Sequence, residues 1–516
     1  MARDGLENRF ESYVTTHFEP VWRLLQVIPP VRRLLNKALI DRAVGRMPPR
    51  PEPLSTMAPY TSWRSLTDRT YAGRHLPPVG HQEEGRPDVP TAASLFLRTG
   101  PTLECPKSTV LFAHFAQWFT DGFLRGDRTH PSEPRRTSSP HEVDLSTLYG
   151  ADPGVTDLLR SHDGGRLKSQ TVNGEEFPPY LCENGEIKPE FHGLQVVDFD
   201  RLTVEQRNGL FAMGGDRANS QFGFAMLNVL FLREHNRVAG ILERENRGWD
   251  DDRVFETARN ILIVILIKIV IEEYIHHIAP YYFTFRVDPS ASRHAVWYRQ
   301  NWMTIEFNLL YRWHGLVPSE FHVDGRAVPL REALFNNRLL TGRGLGPLIQ
   351  DASVQPAGRI GLFNTDKALL ETETESIDVG RRVQLASYND YRRLCHFPRV
   401  TDFDQISGDH RVQRALSDHY RDVDRIDYYV GLFAEDQRPN SPLPPLMGRM
   451  VGVDAFSQVL TNPLLATRVY NEATFSDAGL RIISATRSLS DLVHRNVPAG
   501  SGPYFVSLTR RDWRRQ

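Results

Sequence analysis

Cysteine is scarce in this chain: Cys105, Cys182 and Cys395 are the only three in 516 residues, far apart and with no CxxC pair. That excludes a disulfide framework and a cysteine zinc site, and it fits a reducing compartment. An excess of one charge is also missing. Lys and Arg number 62 against 63 Asp and Glu, a formal net charge of -1. No global basic field draws nucleic acid, so none is expected as a partner. The opening Met1-Ala2-Arg3-Asp4-Gly5-Leu6 mixes charges and lacks the apolar stretch of a secretory signal. The expected location is cytoplasmic or peripheral on the inner face of a membrane. A long hydrophobic run is lacking as well. The most apolar segment, 260–271, is interrupted by Lys268 and closed by Glu272-Glu273. It falls short of the roughly 20 apolar residues of a membrane span. A helix apolar nearly all round fits a protein core.

Hydrophobic residues make up 40% of the chain and aromatics 10%, enough for a large core. The fold class is mainly α. Helical spacing runs through 108–125, 221–245, 253–278, 330–340 and 380–435. Strand signals are few and short. Residues 165–172 lead into the turn Asn173-Gly174, and 321–323 and 326–328 flank Asp324-Gly325. Residues 126–142, rich in Arg, Pro, Ser and His, read as a surface loop. The Pro-rich segment 48–53 is a stiff linker. It divides an N-terminal region, 1–46, from one large domain, 47–516. No internal repeat is present.

In the N-terminal region Phe10, Tyr13, Phe18, Val21, Trp22, Leu24 and Leu25 precede Pro29-Pro30. Val31, Leu34, Leu35, Leu39 and Ile40 follow it, interleaved with Arg32, Arg33, Lys37 and Arg42. This predicts short amphipathic helices. Their apolar faces suit either a membrane interface or docking on the protein's own core.

The tetrapeptide Tyr311-Arg312-Trp313-His314 carries the most chemistry. A Tyr and a His three residues apart share one face of a helix. One helix then offers an imidazole to a haem iron and holds a phenol near the same macrocycle. One His among 18 supports no such reading alone. The words around it do.

Those words resemble the animal-type haem peroxidases, and within them the cyclooxygenase branch, in a bacterial-type form without a growth-factor-like module. Phe112-Ala113-His114-Phe115-Ala116-Gln117-Trp118-Phe119-Thr120 resembles the distal haem helix. Val143-Asp144-Leu145-Ser146-Thr147-Leu148-Tyr149-Gly150 and Leu232-Arg233-Glu234-His235-Asn236-Arg237-Val238 follow. Then come Ile269-Val270-Ile271-Glu272-Glu273-Tyr274, Glu306-Phe307-Asn308-Leu309-Leu310-Tyr311-Arg312-Trp313-His314, Asp427-Tyr428-Tyr429-Val430-Gly431-Leu432 and Ala455-Phe456-Ser457. Seven words stand in the family's order, over roughly 46–510.

The resemblance implies one non-covalent haem b per chain, with His314 as the proximal iron ligand. It implies that Tyr311 is the tyrosine whose radical takes hydrogen from a fatty acid. Gln117 matches the distal glutamine, and Asp121 and Tyr429 are placed around the macrocycle with it. Tyr281 matches the tyrosine at the channel mouth, and Ser457 the serine that aspirin acylates in cyclooxygenases. Ile275, Ile278, Phe307, Leu310 and Trp313 match apolar channel positions, with ordinary core packing as the other reading of each. The arginine that pairs with the substrate carboxylate falls on Arg46 or Arg42.

Two positions depart from the family. Its distal histidine falls on Asp121, a group with an ordinary pKa near ~3.9 in place of ~6.5. Such a histidine gives acid–base catalysis of around 10² to 10⁴ in rate, so the replacement weakens the peroxidase expectation. Gly215-Asp216-Arg217-Ala218 resembles the segment where other animal peroxidases place a distal arginine. Arg217 then either faces the haem, stabilising charge on a breaking O–O bond, or pairs with Asp121. Gly122 follows Asp121 where calcium-binding peroxidases carry a ligand, so no calcium is expected.

The expected function is a cyclooxygenase-like, haem-dependent fatty-acid dioxygenase. Its partners would be an unsaturated fatty acid, O2 or peroxide, a membrane surface bound from one side, and in keeping with the family a second copy. A small-donor peroxidase, a tailoring oxidase with an altered distal site and a silent haem- or lipid-binding protein are the alternatives.

Overall fold

The computed structural model describes residues 13–45, 67–82, 84–289, 291–298, 302–498 and 500–515. Phe10, Arg46 and the linker 48–53 lie outside the described residues. Helices dominate, and the strands among the described residues form only two-stranded antiparallel pairs. Both predicted hairpins are present. Gln170–Val172 pairs with Glu175–Phe177, and Glu320–Val323 with Arg326–Pro329. The first begins later than expected, at Gln170. The turn residues Asn173-Gly174 and Asp324-Gly325 take φ of 50 and 81°, and 53 and 72°, the left-handed pair that matches strand twist.

The N-terminal helices α1 (Glu19–Val27) and α2 (Pro29–Val44) are separated by extended Ile28. One side docks, through buried Trp22, Ile40 and Val44. Asn36 adds a donor and an acceptor to the Arg286 backbone. The other side exposes Val21, Leu24, Val27, Ile28 and Leu34.

The core is built on α3 (Val110–Asp121), α4 (Phe222–Glu245) and α5 (Asp251–Ile269), which pack through α4. The run 260–271 lies in this core, and no helix among the described residues is long and apolar enough to cross a membrane. Residues 108–109, predicted as helix, close the strand Glu104–Thr109. Past Ile269 the helix widens into a π-turn, Val270–Tyr274, a form common where a side chain must be re-aimed. Here it delivers Tyr274.

The short α6 (Ile305–Leu310) starts where the Thr304 hydroxyl accepts from Phe307 N–H, and it ends before Tyr311. Tyr311 (φ -87, ψ 4°) and Trp313 (φ -87, ψ 55°) leave the helix, and His314 opens a separate 3₁₀ turn. Tyr311 and His314 therefore do not share a helix face, contrary to the sequence expectation. The break stacks the Tyr311 and Trp313 rings 4.5 Å apart. It also presses Gly315 to the Arg359 carbonyl, where a Cβ would come within 2.8 Å.

The word 232–238 serves structure. Glu234 holds Arg237, Arg495 and Asn496, while Asn236 ties down Leu167. His235 Nε2 donates to the Gly165 carbonyl (2.9 Å), and Nδ1 accepts from the Tyr149 hydroxyl (2.8 Å), the pattern of a neutral imidazole. Burial pushes its pKa down to about 4, that of His276 to about 4 and that of His114 to about 3. The unfolded value is near ~6.5. Between these values the unfolded chain binds more protons. The stability from these imidazoles is therefore full above ~6.5 and lost as pH falls toward the folded values. Burial raises Glu142 and Glu273 to about 7, which partly offsets the loss. The urea midpoint is expected to fall from about pH 7 to about pH 5, with a flatter slope in His235→Gln. An unchanged slope would remove His235 from this account.

Candidate active site

His314 stands with its ring partly open, its side chain 21% exposed, in front of an enclosed carboxylate. Its Nδ1 lies 3.1 Å from Oε1 of Glu373, whose side chain is 1% exposed. Glu373 comes from α7 (Leu370–Arg382), which turns Glu373, Ser376 and Ile377 inward. The same carboxylate accepts from the Thr365 hydroxyl at 2.7 Å and from the Tyr429 hydroxyl at 2.6 Å. Tyr429 lies on α8 (Tyr428–Ala434), which packs on α7. It is placed behind His314, one side chain removed.

On the facing side, ten of the twelve residues of α3 are buried, yet Gln117 is exposed. Its amide oxygen accepts from Gln221 at 2.9 Å. One turn on, Asp121 is enclosed and fully engaged. Oδ2 accepts from Arg125 (3.1 Å) and Oδ1 from Arg217 (3.2 Å). Arg125 also donates to Asp216 at 2.7 Å. Of the two roles open to Arg217, the geometry shows the pairing with Asp121. Buried Arg312 interacts electrostatically with Arg217 from this side and with Tyr429 and Glu373 from the other. The two sides meet there.

Tyr311 is buried, and no hydrogen bond of ordinary geometry reaches its hydroxyl or that of Tyr274. The two phenols act on each other, and burial pushes both pKa values up. Phe307 crosses Tyr311 edge-on at 5.0 Å, opposite the stacked Trp313. Ile275, Ile278, Phe307, Leu310 and Trp313 are all buried. Ser457 lies on α9 (Pro445–Leu460), and its hydroxyl donates to the Asp454 carbonyl. The Asp454 carboxylate lies 3.3 Å from His75 Nε2, both side chains enclosed. Tyr281 lies apart from His314, among arginines. The Arg438 guanidinium is 5.7 Å from its ring, and Arg449 interacts with Tyr281, Arg438 and Arg42.

These residues fit a haem. Gln117 and His314 are the open points of two otherwise closed elements. Nδ1 of His314 faces a carboxylate, which leaves Nε2 for a metal. Among the described residues no group of three His, Cys, Asp or Glu side chains could hold a bare ion. A single imidazole suits an iron whose other ligands come from a macrocycle.

Sequence reasoning missed Glu373, Tyr274, Gln221 and the His75–Asp454 pair. Glu373 is hidden in Glu371-Thr372-Glu373-Thr374-Glu375, which reads as a solvated acidic face. Its inward neighbours Ser376 and Ile377, three and four residues on, were the available signal.

The fold and this site define a haem-dependent oxidoreductase. The chain matches the animal haem peroxidase family over residues 123–503, and it belongs to that family. It is 30% identical to prostaglandin G/H synthase 2 of Equus caballus over 514 residues, 97% of this chain and 82% of that protein. This similarity places it on the cyclooxygenase-like branch. Its fold is similar to fatty acid alpha-dioxygenase of Oryza sativa (TM-score 0.69, 16% identity, 98% of this chain and 99% of that one). It is also similar to peroxidase A of Dictyostelium discoideum (TM-score 0.68, 17% identity, 90% and 99%).

Proposed function

We propose that the protein is a haem b-dependent fatty-acid oxygenase that works through a radical on Tyr311. The observation that carries this is the enclosed Tyr311 hydroxyl, without an ordinary hydrogen bond and walled by Phe307, Trp313 and Tyr274, three residues from His314. His314 would hold the haem, which supplies the one-electron oxidation of the phenol. Tyr274 orients the Tyr311 oxygen, and the aromatic wall excludes water and small reductants. The Tyr311 radical takes a hydrogen atom from an allylic C–H bond, which restores the phenol and leaves a carbon radical. Dioxygen adds to that carbon.

The cations around Tyr281 suit a carboxylate at the far end of the chain, with Arg42 among them. Ile275, Ile278 and Leu310 suit its apolar body, and Ser457 the wall beside it. Oxygen uptake by haem-reconstituted protein with linoleic, oleic or arachidonic acid and a trace of hydroperoxide tests this reading. Uptake is expected with at least one of them. None from haem-loaded protein would turn the reading to a small-donor peroxidase or a tailoring oxidase.

The paired Asp121 shapes a further expectation. A carboxylate gripped by two guanidiniums is a poor proton acceptor. Asp121→His is expected to raise peroxide reduction by about tenfold or more, in the range of acid–base catalysis. A fall would show that the carboxylate itself moves the proton.

The N-terminal helices support attachment to one membrane face. Of the twelve exposed large hydrophobic side chains among the described residues, seven fall here, from Tyr13 to Leu34. Such clustering marks an interaction surface. Flotation with phosphatidylcholine–phosphatidylglycerol vesicles is expected, weakened at least about tenfold by Leu24→Glu with Ile28→Glu. Equal flotation of parent and variant would place the attachment elsewhere.

A further inference from the structure

Glu373 stands at the centre of the buried polar cluster behind His314. Three side chains converge on its carboxylate: His314 at 3.1 Å and Thr365 at 2.7 Å on Oε1, and Tyr429 at 2.6 Å on Oε2. Its side chain is 1% exposed, so water does not compete for these oxygens. Two hydroxyl donors on one enclosed carboxyl group suit the ionised acceptor, which has no proton of its own to place.

The His314 tautomer follows from a second contact. Thr372 Oγ1 lies 3.4 Å from Nδ1, and its own proton goes to the Leu369 carbonyl. Toward the imidazole, Thr372 can only accept. Both neighbours of Nδ1 therefore accept, and Nδ1 carries the hydrogen. Nε2 is left with its lone pair.

We propose that Glu373 is a positioning residue for the haem site. Its carboxylate accepts the Nδ1 hydrogen of His314, fixes the ring with Nε2 turned to the iron, and makes the imidazole a stronger electron donor. A carboxylate behind a ligating histidine acts in this way in metal sites generally. Tyr429 and Thr365 weaken the same carboxylate by donating to it, so they tune His314 at one remove. The inference rests on His314 being the iron ligand.

The test compares Glu373→Gln and Tyr429→Phe in haem-loaded protein, reading the ferric–ferrous midpoint potential and the iron–histidine stretching frequency. Glu373→Gln keeps the shape and removes the charge. It is expected to raise the potential and lower the frequency. Tyr429→Phe removes a donor and leaves the carboxylate a stronger acceptor, so both readouts are expected to move the opposite way. A role limited to packing gives no such opposition. In haem-free protein, the imidazole N–H proton resonance that disappears in His314→Ala is expected at low field, and upfield of that in Glu373→Gln. Shifts of the same sign in the two variants, no shift in either, or an unchanged proton resonance would overturn the proposal. Full haem retention in His314→Ala would overturn the ligand reading instead, which keeps the two failures apart.

Discussion

Fatty-acid-dependent oxygen uptake should fall at least ~10³-fold in Tyr311→Phe, a barrier increase of about 4 kcal/mol. The substitution deletes one oxygen atom. That oxygen has no ordinary hydrogen bond to lose, so the change in stability is expected within about 1 kcal/mol. Phe307 and Trp313 contact the ring, which remains. Haem content and oxidation of a small phenolic donor should therefore match the parent, because neither needs the Tyr311 hydroxyl. The selectivity is the informative part. Parallel loss of both activities would point to a disturbed haem pocket, and survival of both would remove Tyr311 from the mechanism.

His314→Ala is expected to lower bound haem from about one per chain to under about a tenth, since the axial ligand is the protein's single bond to the iron. The fold should persist. His314 is partly exposed, and Glu373 keeps its bonds from Thr365 and Tyr429. Added imidazole should restore part of the binding by filling the vacated space in front of Glu373. Haem titration by absorbance, with circular dichroism as the fold control, reads both. Stoichiometric haem in the variant without imidazole would assign the ligand elsewhere.

The architecture was legible where one physical signal dominated. Helical period and length announced α3, α4 and α5, and Asn-Gly and Asp-Gly announced both hairpin turns. The apolar run 260–271 was placed in the core for want of about 20 uninterrupted apolar residues. Periodicity failed where packing overrode it. The pattern through Tyr311 and His314 continues α6, but the Tyr311–Trp313 stack and the close approach at Gly315 end the helix early. The N-terminal helices carried two readings, and the structure shows both faces in use: Trp22 and Ile40 dock while Leu24 and Ile28 stay exposed.

At the site, His314, Tyr311 and Gln117 were readable because neighbouring words fixed their order. Asp121 was located, but its state was not. That depended on Arg125 and Arg217, the second of them 96 residues away. Glu373 was invisible for the same reason: its partners His314, Thr365 and Tyr429 are brought together only by the packing of α7 on α8. A lone Glu in an acidic stretch gives no hint of that.

The central claim is that a radical on Tyr311 passes to the fatty acid. Electron paramagnetic resonance of haem-reconstituted protein, frozen after a pulse of hydroperoxide, tests it most directly. The account predicts a tyrosyl signal that is absent in Tyr311→Phe and that converts to a carbon-centred signal when fatty acid is added without oxygen. A tyrosyl signal that survives Tyr311→Phe unchanged, or one that fatty acid leaves untouched, would contradict it.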